Sequence, residues 1–364
     1  MLIVRTLLLA INLSFLIPFY YGQIASEHGF EFRQKLGFLA AHRGTLGHLP
    51  QESAKAMEFT YFLQTHRSKN WHTAYREPKV GATLFVGSVG NNDLLGRYIG
   101  LSGFAELPML KTNSFEWNWK MGFGLGYTAK TFDPIYNPKN NAIGSKINAT
   151  IVIGTKANYN FGKNFVTLGL DLTHFSNAAF KVPNYGINLP YLSVGYGRKF
   201  FKSKQESTDI LSNLPLKKWK FGILGIFSMK EMNPIGTKRY PVYSMSLFAR
   251  RIFSQKAGLE LSLDIFSKQA IIGVEPLVPK TQLSIIQAAL FAGYIVPFER
   301  FSFLFGAGAY VRDVYNPDGP VYFRIGSRYQ FPKGILLNFT LKSHFAKADY
   351  MELGIGYSLN YNQK

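Results

Sequence analysis

The feature of this sequence that most restricts its fold is a strict two-residue alternation in residues 115–128. The odd positions are large and apolar: Phe115, Trp117, Trp119, Met121, Phe123, Leu125 and Tyr127. The even positions are polar or glycine: Glu116, Asn118, Lys120, Gly122, Gly124, Gly126 and Thr128. Because successive side chains of a strand point to opposite faces, the pattern predicts a strand with one apolar and one polar face. Lysine, asparagine and glycine do not build a soluble core, so it favours a transmembrane barrel with lipid outside and a polar lumen.

Similar alternating segments recur along the chain. They fall at 30–42, 54–65, 79–88, 96–112, 115–131, 145–160, 164–178, 185–201, 218–231, 240–254, 256–271, 282–297, 300–313, 320–331, 334–346 and 350–361. A polar stretch, 202–217, separates the first eight segments from the last eight. The sequence therefore predicts an all-β fold, an antiparallel transmembrane β-barrel of about 14–16 strands.

The two halves of the chain resemble each other. Thr173-His174-Phe175-Ser176 in the first half has a counterpart in Ser343-His344-Phe345-Ala346 in the second. We interpret this as a duplicated eight-strand unit, with pseudo-repeats at 23–201 and 218–364. Open sheet edges cannot lie in lipid, so the strands must close. A single barrel over 23–364 is the expected arrangement, two barrels of eight strands are the alternative, and the short connector does not decide between them.

Composition excludes several classes of protein. Aromatic residues make up 16% of the 364 residues and charged residues 17%, which excludes disorder. The absence of cysteine excludes a disulfide-stapled fold, a thiolate nucleophile and a Cys-ligated metal. In residues 1–22 a single charge, Arg5, precedes an apolar run from Leu7 to Leu16. This predicts a cleaved secretory signal, with a membrane anchor as the alternative, and hence localisation to the bacterial outer membrane.

Two chemically capable side chains interrupt the apolar stripe of segment 164–178. Its apolar face carries Val166, Leu168, Leu170 and Leu172, and the same face continues into His174 and Ser176. Residues two apart on a strand lie on one side, roughly 7 Å apart at Cα, so the imidazole could act as general base for the hydroxyl. The alternative interpretation is a polar pair at the membrane rim, where barrels tolerate polarity.

The following segment supplies further candidates. A hairpin centred on Lys181 would place His174 opposite Asn188 and Ser176 opposite Gly186, and directly opposed side chains lie ~5 Å apart. Asn188 could then hold the imidazole tautomer. Asn177 follows the serine and is a candidate oxyanion donor. Pro190 disfavours this register, since proline belongs at strand edges or bulges.

The second half offers an internal contrast. There Asn338, Thr340 and Lys342 share a face with His344, while Leu337, Phe339 and Leu341 point the other way. His344 is therefore expected to face the lumen in a structural role, with Ala346 at the position equivalent to Ser176.

The segments His174-Phe175-Ser176-Asn177-Ala178 and Pro183-Asn184-Tyr185-Gly186 closely resemble the His-x-Ser-Asn and Pro-Asn-x-Gly motifs of the PagL-type lipid A 3-O-deacylases, an acyloxyacyl hydrolase family. The resemblance covers about residues 160–200. It implies an outer-membrane barrel that hydrolyses an ester-linked acyl chain of lipid A without a metal or other cofactor. It also implies His174 as base, Ser176 as nucleophile and Asn177 as oxyanion residue. The family's acidic triad member falls at position 188, which is asparagine here.

Three functions remain open from the sequence. The first is a lipid A deacylase acting on lipopolysaccharide, in which Asn188 orients His174. The second is a non-catalytic pore or structural barrel with a vestigial site, and the third is a soluble β-sandwich binding module. The net charge of +20 fits a phosphate-bearing lipid partner, whereas nucleic acid does not suit an exported barrel. His42, His48, His66 and His72 lie in predicted loops without partners at metal-ligand spacing.

Overall fold

A computed structural model describes residues 27–67, 69–200, 219–315, 317–345 and 347–359. The predicted signal segment 1–22, the connector 202–217 and Ala346 lie outside the described residues. Sixteen strands are present in the described part: β1 Glu27–Gly37, β2 Ala54–Gln64, β3 Lys79–Ser88, β4 Arg97–Lys111, β5 Phe115–Thr128, β6 Ile147–Phe161, β7 Asn164–Ser176, β8 Ile187–Phe200, β9 Trp219–Lys230, β10 Tyr240–Ser254, β11 Ala257–Lys268, β12 Ile286–Phe298, β13 Phe301–Arg312, β14 Val321–Gln330, β15 Ile335–His344 and β16 Lys347–Ser358.

The strands close into two antiparallel barrels of eight. Each strand pairs with its neighbours in sequence; β1 then pairs with β8, and β9 with β16. Phe32 lies opposite Tyr196 at the first closure, and Ile355 opposite Gly225 at the second. The all-β antiparallel barrel fold and the upper strand number are confirmed. The expectation of a single barrel is wrong, and the alternative of two is right, because the alternation of faces is the same whichever strand closes the sheet.

Both barrels have an apolar exterior and a polar lumen. In β5 the rings of Trp117 and Trp119 are exposed, whereas the residues that follow each of them, Asn118 and Lys120, are buried. The same alternation runs along the other strands, with large apolar side chains on the exposed face. This distribution suits a lipid exterior and is the reverse of that in a soluble domain.

Ion pairs occupy the lumen of the first barrel. Lys35 Nζ lies 2.8 Å from Glu58 Oε1 and 2.7 Å from Asp171 Oδ1. Lys156 Nζ joins Glu31 at 2.5 Å and Glu106 at 3.0 Å. All of these side chains are almost fully buried, and each of these charges has a partner of opposite charge from another strand.

The lumen of the second barrel is organised in the same way. The Arg324 guanidinium donates to Asp264 at 2.8 Å and to Glu352 at 2.6 Å. Towards the end of β15, Lys342 Nζ lies 3.0 Å from Asp349 Oδ2. The interior of an eight-strand barrel is just wide enough for side chains, and here charged and aromatic groups occupy it.

Connections at the two ends of the strands differ in length. The links after β6, β12 and β14 are short, whereas longer links follow odd strands, at 38–53, 129–146 and 177–186. The link after β2, 65–78, is a long exception. Where the chain is described, three short helices lie in the connections, α1 Asn70–Ala74, α2 Gln269–Val274 and α3 Gln282–Ile285, with 3-10 turns at Gly44–Leu46 and Pro332–Gly334. Within the described ranges, no helix is long and apolar enough to cross a membrane.

Candidate functional site

Strand β7 places His174 and Ser176 at the end of its exterior face. Leu170 and Leu172 on that face are exposed, and His174 continues the stripe as a half-buried side chain. Ser176 is the last strand residue on the same face and is 7% exposed. Phe175 between them points into the lumen. The alternation of the sequence therefore brings an imidazole and a hydroxyl to the outside of the barrel, next to the apolar surface.

The hairpin between β7 and β8 has the predicted register. His174 lies opposite Asn188, and Phe175 opposite Ile187. Pro190 pairs with Leu172 without shifting the register, so the proline is accommodated within this strand. The predicted neighbour of the imidazole is therefore in place.

Asn188 fixes the orientation of the His174 ring. His174 Nδ1 lies 2.6 Å from Asn188 Oδ1; an amide oxygen only accepts, so Nδ1–H is the donor. The neutral ring then has its lone pair on Nε2. No hydrogen bond joins His174 to Ser176 among the described residues, although the two side chains share a face. Hydrogen bonds between catalytic groups are often long before substrate binds and tighten in the complex.

Gly186 leaves room for the imidazole. Its φ is +79°, a left-handed conformation that side chains disfavour. A Cβ at this position would lie 2.8 Å from His174 Cε1 and 3.6 Å from Nε2. Glycine is therefore required here both by the turn and by the histidine ring beside it.

Asn177 holds the loop that follows the serine. Its side-chain Nδ2 donates to Ser145 Oγ and to the carbonyl of Lys181, both at 2.9 Å. Its backbone N–H donates to Asn184 Oδ1, also at 2.9 Å. The Pro-Asn-x-Gly segment thus contacts the His-x-Ser-Asn segment through Asn184. The donors of Asn177 are engaged with the loop in this structure, and its role as an oxyanion donor stays a prediction.

The structure adds one residue that sequence reasoning set aside. Asn188 Nδ2 lies 2.9 Å from His42 Nδ1, in the connection after β1. The backbone N–H of Ala40 donates to the carbonyl of Asn188 at 2.9 Å, which continues the pairing of β1 with β8. The signal in the sequence was the exterior stripe Leu36, Phe38, Ala40 and His42. It indicates a neighbour of Asn188 only once β1 is known to close on β8.

His344 lies on the opposite face of its strand, as predicted. It is buried in the lumen of the second barrel, where Nδ1 lies 3.1 Å from the carbonyl of Val321. Its Nε2 lies 3.5 Å from Asp349 Oδ2.

Two of the other histidines contact backbone carbonyls, and one of them, His72, lies in helix α1 and not in a loop as predicted. His48 Nε2 lies 2.7 Å from the oxygen of Lys139, and His72 Nδ1 contacts the oxygen of His66. In the part of the chain that the structure describes, no group of three or more His, Asp or Glu side chains is placed to hold a metal ion.

A closed antiparallel barrel with an apolar exterior and an ion-paired lumen is the architecture of an outer-membrane β-barrel protein. Residues 56–197 match the model described as lipid A 3-O-deacylase (PagL), and residues 217–361 match that of the acyloxyacyl hydrolase C-terminal domain. The chain belongs to the PagL family of lipid A 3-O-deacylases. Together the two matches span most of the chain. They support a lipid A deacylase function in general, with lipid A or lipopolysaccharide as substrate, and point to the outer membrane.

Solved structures with similar barrels are distant in sequence. Neisserial surface protein A (NspA) is 10% identical, with 48% of this chain and 97% of that chain covered and a TM-score of 0.34. A triple mutant of Rhodopseudomonas blastica porin is 11% identical, with 91% of this chain and 100% of that chain covered and a TM-score of 0.18. No curated protein sequence matches the chain.

Proposed function

We propose that this protein is an outer-membrane esterase that removes an ester-linked acyl chain from lipid A by a Ser/His mechanism. The observation that carries the proposal is the His174–Asn188 hydrogen bond of 2.6 Å on the exterior of β7, with Ser176 on the same face. That bond leaves Nε2 of the imidazole as the basic nitrogen. The family membership supplies the substrate class.

In the first step Ser176 Oγ attacks the carbonyl carbon of the acyl ester, and its proton passes to His174 Nε2. The tetrahedral intermediate collapses when the bond to the sugar oxygen breaks, and His174 returns the proton to that oxygen. The acyl chain is then esterified to Ser176. A water molecule, deprotonated by His174, attacks this ester, and His174 then gives the proton to Ser176 Oγ as its bond to the acyl carbon breaks, which releases the fatty acid and the free serine.

Asn188 and Asn177 are assigned supporting roles. Asn188 holds the imidazole with its proton on Nδ1, as an asparagine does in Cys-His-Asn proteases. As a neutral amide it stabilises the imidazolium less than a carboxylate would. For the oxyanion, the ester oxygen would take the place of Asn184 Oδ1 at the backbone N–H of Asn177.

The position of the site suits a membrane lipid. With the N-terminus in the periplasm after cleavage of residues 1–22, odd strands run outward, so the end of β7 lies in the outer leaflet. The exposed Val166, Leu168, Leu170 and Leu172 lie in line with His174 on the strand. An acyl chain of the substrate can lie along this stripe while its ester reaches the serine. The ion pairs in both lumens favour this reaction at the exterior over a pore.

Mass spectrometry of lipid A tests the proposal. Cells expressing the wild type should lose one acyl chain from lipid A, and cells expressing Ser176→Ala should not. Ser343→Ala is the matched control, because Ser343 lies on the exterior face near the end of β15 beside a histidine that faces the lumen. It should behave as wild type. Identical spectra from wild type and Ser176→Ala at equal barrel abundance would reject the esterase.

A further inference from the structure

His42 lies in a position to control which end of the Asn188 amide faces His174. Asn188 Oδ1 is 2.6 Å from His174 Nδ1, and Asn188 Nδ2 is 2.9 Å from His42 Nδ1. His42 Nδ1 also lies 3.4 Å from the carbonyl oxygen of Ala40, but its contact with Asn188 Nδ2 is the shorter of the two. An amide nitrogen is only a donor, so His42 Nδ1 is the acceptor in the contact with Asn188. Asn188 is thus held at both ends by imidazole rings from different strands, β7 and the extension of β1.

The backbone keeps the three residues together. The Ala40 N–H donates to the Asn188 carbonyl at 2.9 Å, and the Phe38 N–H donates to the Pro190 carbonyl at 3.4 Å. These bonds extend the closing pair of the first barrel by several residues beyond Gly37. His42 follows Ala40 by two positions and shares its exterior face. Its place beside Asn188 therefore follows from barrel closure.

The orientation of the amide decides the chemistry of His174. If Asn188 turned over, Nδ2–H would face His174 Nδ1, which would then have to accept. The ring proton would move to Nε2, and Nε2 could no longer take the proton of Ser176. A carboxylate at position 188 would not have this weakness, because both of its oxygens accept. An asparagine needs a second partner to keep its oxygen towards the base.

We propose that His42 is a positioning residue, which accepts from Asn188 Nδ2 and so keeps His174 in the tautomer with the proton on Nδ1. This inference rests on the proposed esterase function for its effect on rate. The effect on the tautomer itself does not depend on any substrate. In this role His42 secures the orientation of the His174 ring that the family's acidic residue would secure by itself. His42 does not contact the reacting atoms.

The test exchanges the hydrogen-bonding character of position 42 in the full-length protein in detergent. His42→Gln keeps an acceptor oxygen, and His42→Lys offers only donors. With purified lipid A, His42→Lys should lower kcat roughly fivefold to tenfold with KM unchanged, the value of one net hydrogen bond. His42→Gln should restore most of the rate. His48→Lys, in the same loop and bonded to the Lys139 carbonyl, should match wild type.

Two further measurements separate positioning from simple loop damage. In the Asn188→Asp background, His42→Leu, which removes the acceptor without adding a charge, should leave kcat unchanged, because the carboxylate presents an acceptor in either orientation. The ¹⁵N shifts of the His174 ring, assigned with His174→Gln, should show the proton on Nδ1 in wild type and on Nε2 in His42→Lys. Equal loss in His42→Gln and His42→Lys, or an unchanged tautomer in His42→Lys, would overturn the inference. An inactive wild type would reject the esterase, and the ¹⁵N shifts would still decide the role of His42.

Discussion

A His-Phe pair lies at the end of both β7 and β15, and the two histidines lie on opposite faces of their barrels. His174 lies on the exterior, with a serine two residues on and an amide as its partner. His344 lies in the lumen, where a carboxylate, Asp349, is 3.5 Å away. The first histidine has a nucleophile but no acid, and the second has an acid within a lysine-rich lumen.

The difference shows that the face of the strand on which a residue lies decides whether it can react with a ligand outside the barrel or packs inside the lumen. A shift of one residue relative to the pleat moves a side chain from lipid to lumen. In the lumen, Asp349 is paired with Lys268 at 2.9 Å and Lys342 at 3.0 Å, so lysine side chains of the same barrel neutralise its charge. On the exterior, His174 continues the exposed apolar face of β7, and the hydrogen bond from Nδ1 to Asn188 leaves the lone pair of Nε2 available as a base. The exterior histidine is therefore the one suited to a lipid substrate.

Replacing each histidine by glutamine gives the largest expected contrast. His174→Gln should reduce deacylation by roughly a thousandfold, since it removes the only base assigned to Ser176. His344→Gln should leave the rate unchanged. The measurement is release of fatty acid from lipid A by the purified variants. Comparable losses of activity in both variants would mean that the face of the strand on which a histidine lies does not decide whether it takes part in the reaction.

The second contrast concerns space around the His174 ring. Gly186→Ala should lower kcat about a hundredfold, because the added Cβ would lie 2.8 Å from Cε1 and displace the ring. Gly162→Ala is the matched control: its φ of +63° carries the same backbone cost, but nothing lies within 4 Å of the new methyl group. Its deacylation rate should equal that of wild type. Equal activity of the two variants would show that the ring does not need this space.

Much of this arrangement could be predicted from the sequence. The contacts that could not be predicted are those that depend on which strands pair to close each barrel. The alternation located all sixteen strands, and β10 has the predicted bounds, Tyr240–Ser254. The His174–Asn188 pair followed from the centre of a local hairpin. His42 and Asn188 are 146 residues apart, and they meet because β1 closes on β8. Face alternation is a property of each strand, so it carries no information on which strands close the sheet.

The third contrast tests an acidic residue at position 188 of the exterior site. Asn188→Asp should raise kcat about tenfold, because a carboxylate stabilises the imidazolium that forms when Ser176 is deprotonated. Asn188→Leu, which removes the hydrogen bond at similar volume, should lower kcat. Initial rates on lipid A distinguish the two directions. A fall in rate in both variants would indicate that the reaction requires the amide of Asn188 and that a negative charge at this position does not increase the rate.

The smallest expected effect on catalysis comes from removing the acid of the second barrel. Asp349→Asn leaves Lys230, Lys268 and Lys342 without their shared buried carboxylate, which should lower the free energy of unfolding by about 3 kcal/mol. Asp318→Asn breaks an ion pair with Lys347, whose side chain is 64% exposed, and should cost less than about 1 kcal/mol. Urea unfolding in detergent compares the two, and deacylation by folded protein should be unchanged in both. Loss of activity in folded Asp349→Asn would show that the lumen of the second barrel takes part in the reaction. It would contradict the conclusion that the reaction involves only exterior residues and that lumen residues serve stability.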